Sequence, residues 1–516
     1  MKHYLGIDLG TSSLKVVVVN QSGEILNSAT KSYGVHTPQD GWIEQNTTQW
    51  LTALSEALAE VEKLNSQILK EIRAISVTGQ MHGIVPVDNN GNALHHAIIW
   101  SDRRNEEELA AFHSEFTNEE WVAVTGNRPN ISFTLGKIMW FKKHYPDLYE
   151  KTNKFLLPKD FLRRKLTDTF ETDYSDASAT LLMDLHTLQW SKKIIKTFQI
   201  DETKLPEIKS STALTGSITR KAARAFGLNE GTAVICGCGD AQAQAIGNGI
   251  INSKDWLCTI GTSGQLFVST DEPAIVKNGT LHSFAHAASG KWVLMGATLS
   301  AGMSFKWLTE SIFSNDIEIK DLLDLASTAS PGAKKLLFLP YLFGERSPYM
   351  DEKAKGTFIG FTNEHTKAEM ARAVVEGVLF SLYQSFKIVE ETVGHKCEHI
   401  LLTGGAAQHD LWVTAAANIF NVPVVRNRNR GGGAYGAAML AAVGNGDFNN
   451  LLEVSDCWGL HQYEKVYHPN QTLHEDYEKL FLVFAKAYDA LKEVFHRLHD
   501  CEVSGNKTKI FEKNIM

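Results

Sequence analysis

The sequence predicts an α/β fold made of two duplicated halves that face each other across a cleft. Three observations carry that expectation. Short β-branched runs alternate with stretches of helical periodicity along most of the chain. A Gly-Thr-Ser turn between two apolar runs occurs twice, starting at Gly10 and at Gly261; a repeat at half the chain length is too long for a solenoid and suits a duplicated domain. At 516 residues the chain also exceeds what one compact core supports, so two or three domains are expected.

The first turn organises the rest. Residues 5–19 read LGIDLGTSSLKVVVV, with the acid Asp8 near the end of one apolar run, then Gly10, Thr11, Ser12 and Ser13, then a second run containing Lys15. Short β-branched runs favour strands over helix, which makes the segment a hairpin. Glycine lets the backbone approach a ligand closely, and successive N–H groups beside hydroxyls form a concave anion site. Residues 257–268, LCTIGTSGQLFV, repeat the pattern with Gly261, Thr262 and Ser263. Either copy alone is explained by an ordinary hairpin with a solvated acid. Together they suggest two turns holding a nucleotide's phosphates between them.

The remaining elements follow in order. Residues 24–33 read as a third strand. A helix begins at Asn46, which has capping-box spacing to Gln49, and buries Trp50, Leu54, Leu58, Val61 and Leu64 on one stripe. Residues 72–77 form a strand that runs into TGQMHG and brings Gln80, Met81 and His82 to a strand end, where ligands of α/β sheets bind. A strand at 97–100 leads to Arg103 and Arg104, which read as a solvated face, and to a charged helix from Asn105. Residues 120–230 are mixed, with an extended piece at 155–158 ahead of Asp160. The strand at 233–235 enters CGCGD, with Asp240 at the mouth of an alanine-rich helix, as its N-cap, as a carboxylate aimed into the cleft, or as both.

In the second half, His282 and His286 fall in a segment that reads as strand, against a metal-binding helix. Residues 336–339 form a strand leading to a loop with an internal Glu345/Arg346 pair, and 367–393 form a helix. Strands at 400–403 and 422–426 each run into a glycine turn and a helix, able to wrap a flat heterocycle; neither turn is a GxGxxG or Walker A sequence. A helix over 480–498 closes the fold, and 504–516 reads as a loosely ordered polar tail.

Composition excludes several classes. Hydrophobic content of 43% with 21% charged residues is that of a globular protein, and no apolar run is long enough to span a membrane. Asp8 interrupts the segment where a signal peptide would need its apolar core, so a cytoplasmic protein is expected. The cysteines at 236, 238, 258, 397, 457 and 501 have no paired spacing and read as reduced thiols. A formal charge of −8 supplies no basic field for nucleic acid or lipid. An anionic substrate would be held by local N–H groups, a few cations and a metal.

With these motifs in place, the chain resembles the FGGY carbohydrate kinases, and among them the kinases of D-xylulose. The resemblance is carried by GIDLGTSSLKV, TGQMHG, WSDRR, LLPKDFLR, GCGD, IGTSG, HSFAHA, LPYLFGERSP and TGGAAQHD, in that order. It implies two ribonuclease H-like domains of the actin, sugar kinase and Hsp70 type, divided as 1–248 and 249–446 with a helical extension over 447–516. It further implies ATP- and Mg²⁺-dependent phosphorylation of a ketose, D-xylulose to its 5-phosphate. By the same resemblance Asp240 is the catalytic base, Gln80, Met81 and His82 belong to the sugar site, and Asp8 acts near the metal and phosphates. Asp8 and Asp240 hold the metal, directly or through water. Gly10, Thr11, Ser12, Ser13 and Lys15 with Gly261, Thr262 and Ser263 form the phosphate motifs, and Gly404, Gly405, Ala406 and His409 the adenosine motif. The chain departs from the family pattern at Ala241, where Asn is common, and at Ala406 and His409. Those departures leave the acceptor open to another ketose or polyol, and purine selectivity less secure. A sugar-independent ATPase switch of the actin or chaperone kind and a sugar-binding regulator without catalysis are the readings from other classes. The expected partners are the sugar and ATP, with no nucleic acid and no membrane; the oligomeric state, homodimer included, is left open.

Overall fold

Each Gly-Thr-Ser turn lies at one end of an antiparallel hairpin, and each hairpin belongs to its own sheet. In the computed structural model, which describes residues 2–314, 316–427 and 431–501 with the side chain of Asn427 excepted, β1 (His3–Leu9), β2 (Ser13–Asn20) and β3 (Ile25–Ser32) form an antiparallel meander. The expected tail at 504–516 lies outside the described residues. A two-residue strand β4 (Glu44–Gln45) and helix α1 (Thr47–Leu64) follow, and the helix buries Trp50, Leu54, Leu58 and Val61, while Leu64, expected on the same stripe, is exposed at the helix end. Asn46 caps α1 by accepting from the Thr48 N–H, and no return bond from the Gln49 side chain completes a capping box. Next, β5 (Ile72–Gly79) runs parallel to β1, and a short β6 (Ala97–Ile98) pairs with β4. After a helical region that includes α2 (Pro158–Thr167) and α3 (Tyr174–Ser178), β7 (Leu214–Ser217) and β8 (Ala233–Gly239) complete a six-stranded sheet in the order β7-β8-β5-β1-β2-β3.

The second sheet repeats this plan. β9 (Trp256–Ile260), β10 (Gly264–Thr270) and β12 (Trp292–Thr298) form the meander, with β11 (His282–Ala285) as an extra edge strand. β13 (Ile400–Thr403) and β14 (Val424–Asn427) run parallel to β9, and β15 (Tyr463–Tyr467) pairs antiparallel with β14, in the order β11-β12-β10-β9-β13-β14-β15. In both sheets, three antiparallel strands continue into two parallel strands and an antiparallel edge. This shared topology is the structural content of the sequence repeat.

Helices α4 (Asp240–Gly247), α5 (Gly302–Trp307), α6 (Ile319–Thr328), α7 (Lys367–Val393), α8 (Asp410–Phe420), α9 (Gly433–Gly444) and α10 (Gln471–Asp500) complete the frame. The helix expected at 480–498 starts nine residues earlier, capped by Asn470. Within 447–500, β15 edges the second sheet and α10 packs on α7 and α8, whereas Asp447 accepts from Lys2 and Tyr4 and Trp458 packs beside Tyr4 of the first half. Helix α9 follows a strand of the second sheet yet packs on β1, β2, β5 and β8 of the first, and it crosses α4 closely. At that crossing a Cβ on Gly436 would come within 2.8 Å of the Ala243 carbonyl carbon, so only glycine fits. The two halves are thereby joined by a packed helix pair as well as by covalent chain.

Two other expectations are corrected here. Arg103 is exposed, but Arg104 is buried: its Nε and Nη2 donate to Asp102 at 2.8 and 2.7 Å, and its guanidinium lies 4.1 Å from the Trp42 ring centroid. Asp102 and two tryptophan faces supply what water would otherwise give it. Glu345 does not pair with the Arg346 guanidinium. Its buried carboxylate accepts from the Arg346 and Leu299 N–H groups and the Thr298 and Ser381 hydroxyls. Among the described residues no helix is long and apolar enough to cross a membrane.

Candidate active site

Strand register brings three of the sequence motifs to one edge. In the first sheet Leu9 pairs with Gly79, and Gly79 with Gly239, so the parallel strands β1, β5 and β8 end together. Asp8 and the first turn, then Gln80 to His82, then Asp240, therefore emerge side by side at the carboxyl ends of neighbouring strands, where α/β sheets place ligands. A β-bulge between Ile235 and Cys238 adjusts the last strand. Gly237 sits in it at φ +85°, where a Cβ would lie 2.9 Å from the Val77 carbonyl carbon.

Asp240 is the first residue of α4, and Gly239 is its N-cap, so the capping expectation is off by one position. Its Oδ1 accepts from the Ala241 N–H at 2.8 Å. Burial, and then the nearby Asp8 carboxylate, raise its pKa to about 7, although part of the residue remains open to solvent. Asp8 is raised to about 6 by burial; Lys15, its cross-strand partner, pulls the other way. Asp8 Oδ1 is buried without a hydrogen-bond partner. An orphaned carboxylate oxygen beside a second carboxylate, both resisting ionisation, is a donor set that fits a hard divalent cation.

The start of α9 closes over Asp8 from the other half. A Cβ on Gly433 would stand 2.8 Å from Asp8 Cγ and closer still to Oδ2. Gly433→Ala is expected to displace the Asp8 carboxylate and lower turnover by about 10²-fold, with little change in melting temperature; steady-state rates beside a thermal melt check it.

Several residues that the sequence did not single out brace the first turn. Gln45 Nε2 donates to the Thr11 carbonyl at 2.6 Å, and Trp100 Nε1 to the Thr11 hydroxyl at 2.9 Å. The amide of Gln80 is turned to Gln45 and Thr11, at 2.7 and 3.4 Å, so it serves the turn's scaffold. Within the turn Gly10 N–H donates to Ser13 O at 3.0 Å. The second turn is one residue shorter: Ile260 pairs directly with Gly264, and Gly261 N–H reaches Ser263 O at 3.0 Å. Its carbonyls are taken up by α5 and the residue before it, with Gly302 N–H donating to Gly261 O and Ala301 and Met303 N–H to Thr262 O.

Beside that second turn lies a cavity of about 390 Å³ lined by Gly261, Thr262, Gly405 and Ala406, with Ile260, Phe305, Leu323 and Trp412 as apolar walls and Lys306 as a cation. β9 and β13 run parallel with Thr259 opposite Thr403, which brings Gly261 and Gly404 to a common edge just as in the first sheet. His409 does not line this cavity. Its Nδ1 accepts from the Leu411 N–H as the N-cap of α8, and its Nε2 meets Asp324 at 3.1 Å.

Met81 packs against Gly239, so it touches the backbone that carries Asp240. His82 has φ +67°, and its Nδ1 lies 2.7 Å from the Ala179 carbonyl. A carbonyl only accepts, so Nδ1 carries the proton; burial depresses the pKa to about 3 and keeps the ring neutral. Nε2 is then an acceptor. The Phe133 ring meets His82 edge-on at 5.0 Å. His282, on β11 of the second half, stacks on Phe284 and donates from Nδ1 to Asn127 Oδ1 at 2.9 Å. His286 instead meets the Ile250 carbonyl through Nε2, so the two histidines share no ligand position.

Beneath Asp240, Lys159 Nζ lies 2.6 Å from Asp160, 3.1 Å from Asp173 and 3.5 Å from Asp176, all fully buried. Burial lowers the Lys159 pKa, but the three carboxylates outweigh it and hold it well above the ordinary value. Asp173 accepts from the Ser175 hydroxyl at 2.6 Å, and that hydroxyl accepts from the Gly239 N–H at 3.0 Å. The residue before Asp240 is thus fixed from below. In the sequence only the presence of charges within apolar segments, as in LLPKDFL, hints at this cluster.

Comparison with known proteins agrees over most of the chain. The N-terminal domain model of the FGGY family of carbohydrate kinases matches residues 3–247, and its C-terminal domain model matches residues 256–444. A xylulose kinase of Staphylococcus epidermidis is 36% identical over 495 residues, covering 95% of this chain and 97% of that protein. The crystal structure of a ligand-bound xylulose kinase from Lactobacillus acidophilus superposes with a TM-score of 0.90 at 29% identity, covering 96% of this chain and 100% of that one. A gluconate kinase from Lactobacillus acidophilus gives the same TM-score and identity over 96% of this chain and 99% of that one.

Proposed function

We propose that this chain, which belongs to the FGGY family of carbohydrate kinases, transfers the γ-phosphoryl group of ATP to D-xylulose, forming D-xylulose 5-phosphate with Asp240 as the general base. The observation that supports this reading is the common edge of β1, β5 and β8, where the segments that carry Asp8, His82 and Asp240 leave neighbouring strands.

Phosphoryl transfer demands little covalent chemistry from a protein; it demands positioning and charge neutralisation. The turns at 10–13 and 261–263 offer backbone N–H groups and hydroxyls to the phosphates, and Lys15 adds a cation on the first hairpin. The adenine and ribose occupy the cavity beside Gly405 and Ala406, with Gly404 at the same edge and His409 acting only as a helix cap. Asp8 and Asp240, directly or through water, would hold Mg²⁺, which screens the phosphate charge when bound.

The sugar hydroxyl is oriented by the Asp240 carboxylate, which accepts its hydrogen bond and takes its proton late, as the bond to phosphorus forms. A carboxylate near its ordinary pKa of about 4 would be a weak base. Burial at about 7 makes Asp240 a stronger one. His82 Nε2 accepts from a second sugar hydroxyl, and Met81 supports the backbone at Gly239. Gln80 acts as a positioning residue, through Thr11. Ala241 removes an amide beside the sugar that relatives of the family commonly carry, so the acceptor is chosen by the remaining groups.

The test is a panel of D-xylulose, other ketoses, glycerol and D-gluconate, assayed by ADP release with ATP and Mg²⁺ and with a GTP control. D-Xylulose is expected to give the highest kcat/KM. A higher value for gluconate or a polyol would replace the acceptor, and equal ATP turnover with no sugar present would remove the kinase reading.

A further inference from the structure

Outside the active-site edge, three segments of the first half bring two imidazoles and a carboxylate together. We propose that His36, Glu44 and His96 form a binding site for a divalent transition ion of the zinc class.

Backbone register makes the cluster. His36 and Glu44 exchange both of their N–H···O bonds, each 2.8 Å, so they are a directly opposed antiparallel pair with side chains on one face. On the other side of Glu44, β4 pairs with β6 so that Glu44 faces Ile98 and Gln45 faces Ala97. His96 lies two residues before Ile98 and therefore shares the face of Glu44. The three ligand atoms lie within 4.8 Å of one another. His96 Nδ1 is 3.3 Å from Glu44 Oε2, and the rings of His36 and His96 meet edge-on at 5.8 Å.

Charge and access suit a cation. Glu44 Oε1 faces Arg104 Nη1 at 2.8 Å, an ion pair without hydrogen-bond alignment, while Oε2 is turned to His96. Arg104 is otherwise spent on Asp102. Glu44 therefore shares the Arg104 guanidinium with Asp102 and keeps Oε2 for the cluster. His95 flanks it, with Nε2 at 3.9 Å from Glu44 Oε1. Both ligand histidines are exposed, so an ion enters from solvent without opening the fold. Two imidazole nitrogens and one carboxylate oxygen, with water in the fourth position, are a zinc-type set. Magnesium and calcium prefer all-oxygen sites. The ion would clip together the segment after β3, β4 and the start of β6. Gln45, the next residue of β4, is the one that braces Thr11.

Calorimetric titration of the tag-free chain with zinc chloride, without nucleotide, tests this. One ion per chain is expected, with a rise in melting temperature, and magnesium chloride should not compete. His36→Ala and His96→Ala should each weaken binding by about tenfold or more and leave the zinc-free melting temperature unchanged. Wild-type stoichiometry and affinity in both variants would overturn the proposal, as would a wild-type chain that takes up no zinc at micromolar concentration.

Discussion

Asp240→Asn is expected to lower kcat by about 10²- to 10⁴-fold, the range that a positioned general base contributes, while the melting temperature stays within a degree or two of wild type. The substitution keeps the shape of the side chain and can retain the hydrogen bond from the Ala241 N–H, but it removes the group that accepts the sugar proton. It also removes one of two neighbouring buried carboxylates, each raised by burial, so any stability change should be favourable. A coupled ADP-release assay and a thermal melt on the same preparation decide the matter. Near-wild-type turnover would take the base role from Asp240, and a large loss of melting temperature would make the activity loss uninformative.

Lys159→Met is expected to be the most damaging single change to stability. Fully buried, the ammonium compensates Asp160, Asp173 and Asp176 at 2.6, 3.1 and 3.5 Å. Arg163 adds a second cation, 3.3 Å from Asp160. Even with both cations present, Asp176 has neither oxygen hydrogen-bonded and its pKa is driven well above the ordinary value by burial. Removing the lysine leaves Arg163 beside Asp160 but takes the cation from Asp173 and Asp176, whose side chains are fully buried, a situation that costs about 3–5 kcal/mol. Urea denaturation measures it. A loss below about 1 kcal/mol would mean that the cluster behaves like a surface ion pair. The same cluster holds Ser175 against Gly239, so a folded remnant of the variant should also turn over more slowly.

Much of the site was legible because its chemistry is local. A glycine, a threonine and a serine between two β-branched runs dictate a hairpin turn whatever surrounds it, and both copies formed where expected. Helix α7 and strand β13 also match the sequence reading, since a long helical period and a short apolar run are properties of the segment alone. What sequence could not give was partnership. Nothing in CGCGD states that its strand lies beside β5, or that its bulge adjusts the end that carries Asp240. The alanine-rich run of α9 reads as buried on all sides, but not as buried on the opposite half of the molecule. Arg104 reads as solvated because the Trp42 and Trp140 faces that bury it come from distant parts of the chain, although its ion partner Asp102 lies two residues away. His409 illustrates the converse: the structure shows its ring doing a helix cap's work, which a hydroxyl at that position would also do.

The account stands on an ionised Asp240 engaging the sugar, and the pH dependence of kcat/KM at low concentrations of both substrates tests that most directly, because it reports the free enzyme. With Asp240 at about 7 and Asp8 at about 6, the rate should be level above neutrality. It should fall about tenfold per unit as pH drops through 7, and more steeply below 6, where the pair takes up its second proton. A rate that stays flat from well below 6 to above 8 would contradict it.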